Sequence, residues 1–200
     1  MVAVIKDTYG FSNDRILSAM LTVSRHRYVP ETSCGECDAY GNHPCLIGFG
    51  QTISQPFIVA YMTSLLDVEK GMKILEIGTG SGYQAAILAE LGANVYTIER
   101  IPALAEHARK ILSSEGYSNV VVKTGDGYRG WPENAPYDAI IVTCAPDSVP
   151  GQLVDQLGEG GRMVFPVGTG SQRLVVLYKE KDKVVCTDDI AVRFVPMVPE

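Results

Sequence analysis

From Lys73 onward, short apolar runs and stretches of helical period take turns along the chain. The runs at 73–77, 94–98, 120–123, 138–142 and 162–167 are rich in Val and Ile and read as strands. Between them, 83–91, 102–114 and 150–157 read as helices. This alternation predicts a mostly parallel sheet with crossover helices, the doubly wound α/β class. The last third breaks the rule. Arg173 to Tyr178 and Val184 to Val195 read as two long strands joined by the polar turn Lys179-Glu180-Lys181-Asp182-Lys183, an antiparallel C-terminal hairpin at a sheet edge.

Upstream of Lys73 the pattern is more broken. Asn13 or Ser12 caps a first helix carrying Ile16, Leu17, Met20 and Leu21 at helical spacing. Pro30 closes the segment around Arg25 to Val29. Residues 31–50 read as a loop rich in Gly, Cys and Pro. Pro56 suits the first turn of a helix bearing Ile58, Tyr61, Met62, Leu65 and Leu66. No repeat, low-complexity tract or linker divides the 200 residues, so 1–200 is expected to be a single domain with a core of ordinary size.

The composition, 46% hydrophobic and 20% charged, excludes a disordered chain. A net charge of −6 argues against nucleic acid as a partner, because phosphate binding needs clustered Lys and Arg. It suits a cationic ligand, though ordinary solubility accounts for it equally. No apolar run approaches the ~20 residues needed to cross a bilayer. Met1 to Gly10 is interrupted by Lys6 and Asp7 and lacks the long apolar region of a secretory signal. The expectation is a cytoplasmic protein with no membrane partner.

The candidate chemistry begins at Leu75-Glu76-Ile77-Gly78-Thr79-Gly80-Ser81-Gly82. An apolar strand runs into three alternate glycines and then a helix. Such a turn lets backbone N–H groups approach a ligand with no Cβ in the way. A dinucleotide site prefers G-x-G-x-x-G; the spacing Gly78, Gly80, Gly82 with Glu76 before it fits an S-adenosylmethionine loop better. In a doubly wound sheet ligands sit beyond the carboxyl ends of the strands. The second strand ends at Glu99, about 17 residues past Gly82, an interval suited to an acid accepting from both ribose hydroxyls. After the third strand, Gly125-Asp126-Gly127 holds out a carboxylate placed for an adenine amino group, although alone it is only a turn signal. The fourth strand runs on to Thr143-Cys144-Ala145-Pro146, the floor of the same cleft.

With Gly50-Gln51-Thr52-Ile53-Ser54-Gln55-Pro56 upstream, the chain resembles the protein-L-isoaspartate (D-aspartate) O-methyltransferase family from about Ile16 to its last residue. The motifs that carry the resemblance are His26-Arg27-Tyr28-Val29-Pro30, the 50–56 segment, Leu75–Gly82 and Ile98-Glu99-Arg100. They continue with Gly125-Asp126-Gly127, 136–142, 160–168 and Val192-Arg193-Phe194-Val195-Pro196. Thr52-Ile53-Ser54 and Arg193–Pro196 narrow the likeness from methyltransferases at large. The resemblance implies a Rossmann-like class I methyltransferase fold, with S-adenosylmethionine as cofactor and S-adenosylhomocysteine as product. The partners it implies are damaged proteins or peptides whose L-isoaspartyl, and D-aspartyl, carboxyl is methylated toward a succinimide. It puts Ser54 at the family's active-site serine and Gln51, Thr52 and Ile53 beside the cofactor. Glu76 falls near the methionine end, with Gly78, Thr79, Gly80 and Gly82 in the loop. Glu99 with Arg100 falls at the ribose, and Asp126 with Gly127 at the adenine. Arg193, Phe194 and Val195 join Ser54 along the peptide groove.

The chemistry is consistent. A substrate carboxylate with a reference pKa near ~4 is ionised at neutral pH and needs no general base. The only histidines, His26, His43 and His107, form no Ser-His-Asp order. Ser54 also reads as a helix cap before Pro56. The loop Cys34-Gly35-Glu36-Cys37 through His43-Pro44-Cys45 is foreign to the family. Three readings stay open for it: unpaired thiols, a small zinc knuckle, or a redox-labile pair; no metal site is assigned. Cys144 and Cys186 read as buried thiols. Three rivals remain: a small-molecule methyltransferase of the same fold, a non-catalytic cofactor-binding module, and a nicotinamide oxidoreductase.

Overall fold

The alternation read from Lys73 onward is present in the computed structural model, which describes residues 1–34, 39–181 and 183–199, the side chains of Thr32 and Cys34 excepted. Five parallel strands carry it: β3 (Lys73–Ile77), β4 (Asn94–Glu99), β5 (Val120–Thr124), β6 (Tyr137–Val142) and β7 (Leu157–Val167). Before β3 come α1 (Val2–Tyr9), α2 (Asp14–Thr22), α3 (Glu31–Cys34), β1 (Cys45–Gly48), β2 (Gln51–Ile53) and α4 (Pro56–Leu66). Crossovers are made by α5 (Tyr83–Glu90) and α6 (Pro102–Ser114), while α7 (Gly151–Gln156) precedes β7. The hairpin expected at the sheet edge is β8 (Gln172–Glu180) with β9 (Lys183–Val192), antiparallel to β7 and to each other. The order across the sheet is β5-β4-β3-β6-β7-β8-β9. The strand order therefore reverses between β3 and β6, and a ligand crevice belongs at their carboxyl ends.

Alternate residues of β3 serve two cores, because successive side chains leave a strand on opposite faces. Ile74 joins a cluster with residues of α2, α4, α5 and α6, including Met20, Leu66, Ala85 and Ala108. Leu75 and Ile77 join the other, with Tyr137, Leu153, Phe165 and Met197. Residues Tyr83 to Ala89 of α5 are all buried, as expected for a helix apolar on every side. It lies between the sheet and the N-terminal elements; Tyr83 meets Tyr28 edge-on at 5.6 Å.

Local signals explain the helix starts. Asn13 caps α2, its Oδ1 accepting from the Ile16 N–H at 3.2 Å. Pro56 sits in the first turn of α4, and Asp67 ends it with φ of 52°. Several expectations are corrected. Leu21 is 72% exposed rather than on the buried face. Residues 31–50 are not a bare loop: they contain α3 and β1, and β1 pairs with β2 in a hairpin turning through Gly48, Phe49 and Gly50, all at positive φ. β7 begins at Leu157, the last residue of the expected helix 150–157, and β9 stops at Val192, short of Val195. Cys186 is exposed, because β9 is the outer strand and this stretch has no layer over it.

Candidate functional site

The glycine loop is a backbone cradle held by hydrogen bonds to β4. The Gly78 and Thr79 N–H groups donate to the Ile98 carbonyl at 2.8 and 3.2 Å. The Gly80 N–H donates to Glu99 Oε2 at 2.8 Å, and the Ile101 N–H to Glu99 Oε1 at 2.9 Å. The Glu99 carboxylate is thus aimed by the loop on one side and by the start of α6 on the other. At Gly78 a Cβ would lie 2.5 Å from Thr143 Oγ1, so only glycine fits. Thr143 locks the same turn from β6, its hydroxyl donating to the Ile77 and Gly78 carbonyls at 3.0 and 2.7 Å.

Beyond β5, Asp126 caps a single 3-10 turn, Gly127–Arg129, its Oδ1 accepting from the Tyr128 N–H at 2.9 Å. A Cβ on Gly127 would fall 2.5 Å from Ile77 Cγ2 and 3.1 Å from Met197 Cε. The segment after β9 crosses here. The Ala145 N–H donates to the Val195 carbonyl at 2.8 Å and the Met197 N–H returns to the Ala145 carbonyl at 2.7 Å. Tyr128 Oη adds a bond to the Met197 carbonyl at 3.2 Å.

These elements enclose two cavities that meet at Gly78 and Thr143. The larger, about 90 Å³, is lined by Gln51, Gly80, Glu99, Arg100 and Gly127, with Val195–Val198 as a wall. The smaller, about 30 Å³, lies behind it and is lined by Ile53, Ser54, Val59, Met62, Thr79, Ser81, Tyr83 and Gln84. The hairpin of β1 and β2 covers the loop: Ile47 Cδ1 comes within 3.3 Å of the position a Gly80 Cβ would take. Leu46 and Phe49 stay exposed at the hairpin's outer side.

Two acidic groups here are perturbed by burial. Glu76 is fully buried and, among the described residues, neither carboxylate oxygen has a well-formed hydrogen bond. Burial pushes its carboxyl up to about 8, the negative Glu99 adds to this, and the nearby Thr97 hydroxyl opposes it. That hydroxyl is itself 2.6 Å from Thr79 Oγ1. The Cys144 thiol is pushed up to about 12, by burial first and Glu99 second, and stays protonated.

Of the residues singled out from the sequence, Gln51, Gly78, Gly80, Glu99, Arg100, Gly127 and Val195 line the larger cavity, and Ile53, Ser54 and Thr79 the smaller. The others stand back. Glu76 lies beneath the loop, Thr52 is exposed on β2, Gly82 caps α5, and Asp126 is occupied as a turn cap. Arg193 is exposed, and Phe194 packs on the core and exchanges two hydrogen bonds with Gln172. Thr143, read as part of the cleft floor, lines both cavities. Sequence reasoning missed Arg25, Tyr83, Gln84 and the wall Met197–Val198. The start of α5 was a positional signal for two of these; nothing in the sequence marked Arg25.

The Cys34 side chain and Cys37 lie outside the described residues. Cys45 is disulfide-bonded, and its Sγ is 3.9 Å from His43 Nδ1. Among the described residues, no group of three or more His, Cys, Asp or Glu side chains is gathered to hold a metal ion.

The sequence profile of the family Protein-L-isoaspartate(D-aspartate) O-methyltransferase (PCMT) matches residues 1–200. A protein-L-isoaspartate O-methyltransferase of Picosynechococcus sp. is 52% identical over 188 residues, covering 94% of this chain and 84% of its own. One from Gloeobacter violaceus is 50% identical over 193 residues, covering 96% and 93%. A solved protein-L-isoaspartate O-methyltransferase superposes with a TM-score of 0.86 at 30% identity, covering 98% of this chain and 64% of that one. A Plasmodium falciparum structure, provisionally given the same name and solved with S-adenosyl-L-homocysteine, has a TM-score of 0.87 at 23% identity over 100% and 97%. The last likeness is one of fold.

Proposed function

The chain belongs to the protein-L-isoaspartate(D-aspartate) O-methyltransferase family, and from that footing we propose that residues 1–200 act as one domain that methylates the free carboxyl of L-isoaspartyl, and D-aspartyl, residues in damaged proteins. The observation that carries this reading is the meeting of the two cavities at Gly78 and Thr143, one lined by Glu99 and the glycine loop, the other by Ser54.

The residues present fit S-adenosylmethionine. Side chains at Gly78 or Gly127 would collide with Thr143 or Ile77, so the loop offers bare backbone. Each Glu99 oxygen accepts one backbone N–H and keeps a further lone pair for a ribose hydroxyl. Gln51, Arg100 and the Val195–Val198 wall would enclose the remainder. When bound, S-adenosylmethionine supplies a sulfonium methyl, which passes to a substrate carboxylate oxygen as the C–S bond breaks, leaving S-adenosylhomocysteine and a methyl ester.

The chain's own part is orientation. The substrate carboxylate is already ionised, so no side chain has to remove a proton. Ser54 Oγ, with no protein partner among the described residues, donates to one carboxylate oxygen and holds the other toward the methyl. Ile53, Ile58, Val59 and Met62 keep water from the reacting atoms. Arg193 and Phe194 act farther out, on residues flanking the isoaspartate.

Labelled S-adenosylmethionine with a matched pair of peptides, one isoaspartyl and one aspartyl, tests this. Base-labile label on the isoaspartyl peptide alone is the expected result. Label on neither peptide, with S-adenosylhomocysteine still bound, would move the assignment to another substrate or to a binding module. We further propose a cytoplasmic setting, which cell fractionation tests. No helix among the described residues is long and apolar enough to cross a membrane. The Cys45 disulfide points the other way, since such bonds are rare where thiol buffers keep cysteines reduced; recovery of the protein outside the cytoplasmic fraction would overturn the proposal.

A further inference from the structure

Arg25 lies in the 3-10 turn Arg25–Tyr28 and is 0% exposed. A buried guanidinium ordinarily needs a carboxylate beside it, yet among the described residues it has none. Nε donates to the Ala39 carbonyl and Nη2 to the Ser54 carbonyl, both at 2.8 Å. Nη1 has no hydrogen-bond partner among the described residues. The guanidinium stands over the Tyr83 ring, 4.9 Å from its centroid. Burial lowers its pKa only to about 10, so it stays charged at neutral pH.

We infer that Arg25 is a positioning residue for Ser54, acting through the Ser54 carbonyl to aim its hydroxyl. This role presupposes that the site is that of a methyltransferase. A guanidinium is planar and its N–H groups form a rigid fork, so two carbonyls bound to it are fixed relative to each other. Here one is Ala39 and the other Ser54. The plane is steadied by Tyr83, the first residue after the glycine loop and a wall of the same cavity as Ser54. Arg25 thereby ties the Ser54 backbone to the loop that cradles the cofactor. Holding the Ser54 carbonyl fixes the peptide plane that follows it, and the backbone angles decide which side-chain rotamer is allowed. A lysine retains the charge but is a point donor on a flexible stem and does not reproduce the fork.

A double-mutant cycle separates this role from plain core packing. Arg25→Lys is made in the wild-type and Ser54→Ala backgrounds, and kcat on an isoaspartyl peptide, S-adenosylhomocysteine binding and Tm are measured for all four proteins. In the wild-type background Arg25→Lys should lower kcat by about 10-fold or more, since small misplacements of a positioned group have effects of that size. S-adenosylhomocysteine affinity should stay within about 3-fold, and in the Ser54→Ala background the same change should lower kcat by less than about 2-fold, because a unit already broken has little left to lose. Equal losses in both backgrounds, or none in either, would overturn the inference. Should Arg25→Lys fail to fold, Arg25→Gln is read in the same way. Failure of both to fold would also overturn it, by assigning Arg25 to the fold itself. A wild-type protein that binds S-adenosylhomocysteine but leaves the isoaspartyl peptide unmethylated would instead overturn the functional reading on which the inference stands.

Discussion

At the scale of single residues, Glu99 shows how the site is oriented before any ligand arrives. Its two oxygens are held by N–H groups from two different turns, Gly80 and Ile101, so a ligand meets a carboxylate already aimed. Glu99→Ala therefore removes both a ligand acceptor and a brace of the glycine loop. S-adenosylhomocysteine affinity should fall by about 10- to 100-fold, the range expected for one hydrogen bond to a charged group, while Tm falls modestly. Calorimetric titration checks this; an affinity within about 2-fold of wild type would remove Glu99 from the cofactor site. Glu99 was legible because strand-end position and spacing both mark it. Arg25 was not, because its partners lie 14 and 29 residues away and are backbone atoms. Nothing about the type of residue 39 or 54 announces a carbonyl accepting from Arg25.

At the scale of elements, the wall of the larger cavity depends on how tightly the segment after β9 seats against β3. Gly127 is the spacer: there is no room for a Cβ between Ile77 and Met197. Gly127→Ala should push Met197 outward and destabilise the fold by about 1–3 kcal/mol, the usual range for overpacking. Denaturant melts would register this as a lower midpoint. An unchanged midpoint would mean that the segment yields freely and does not form a firm wall. Elements with a strong period were readable in advance: the parallel strands, α5, α6 and the C-terminal hairpin. The β1–β2 hairpin was not. Its strands have four and three residues and turn through two glycines, too short for any alternation to register. The helix read over 150–157 ran into β7 because Leu157 is apolar and buried in either assignment.

At the scale of the whole molecule, Glu76 couples the site to the stability of the fold. Its carboxyl is raised from an ordinary 4.5 to about 8 by burial. Over that interval the folded protein holds a proton that the unfolded chain has already lost. The stability this contributes is fully present below about 4.5 and is lost as pH rises through about 8. Wild-type Tm, measured without ligand, should therefore decline from pH 5 to pH 9. Glu76→Gln, an uncharged mimic of the protonated acid, should flatten the decline. Equal slopes in the two proteins would assign the pH dependence to other groups. The overall architecture was legible because hydrophobic period, glycine spacing and strand-end acids all agreed. The buried acid's state was not, because it depends on how β4 and β6 flank β3.

One consequence of the sheet order belongs to how the protein behaves in company. Among the described residues β9 pairs with β8 alone, so its far side is an open sheet edge, with Val184 and Val185 each 48% exposed beside it. Such a rim is a template on which another extended chain can continue the sheet. Lys183, Asp188 and Asp189 interrupt it with charge, and charge repels fellow molecules only across the distance salt allows, about 8 Å at physiological ionic strength. Raising the salt shortens that reach, so the outermost strand, far from any chemistry, is where a second extended chain meets least resistance.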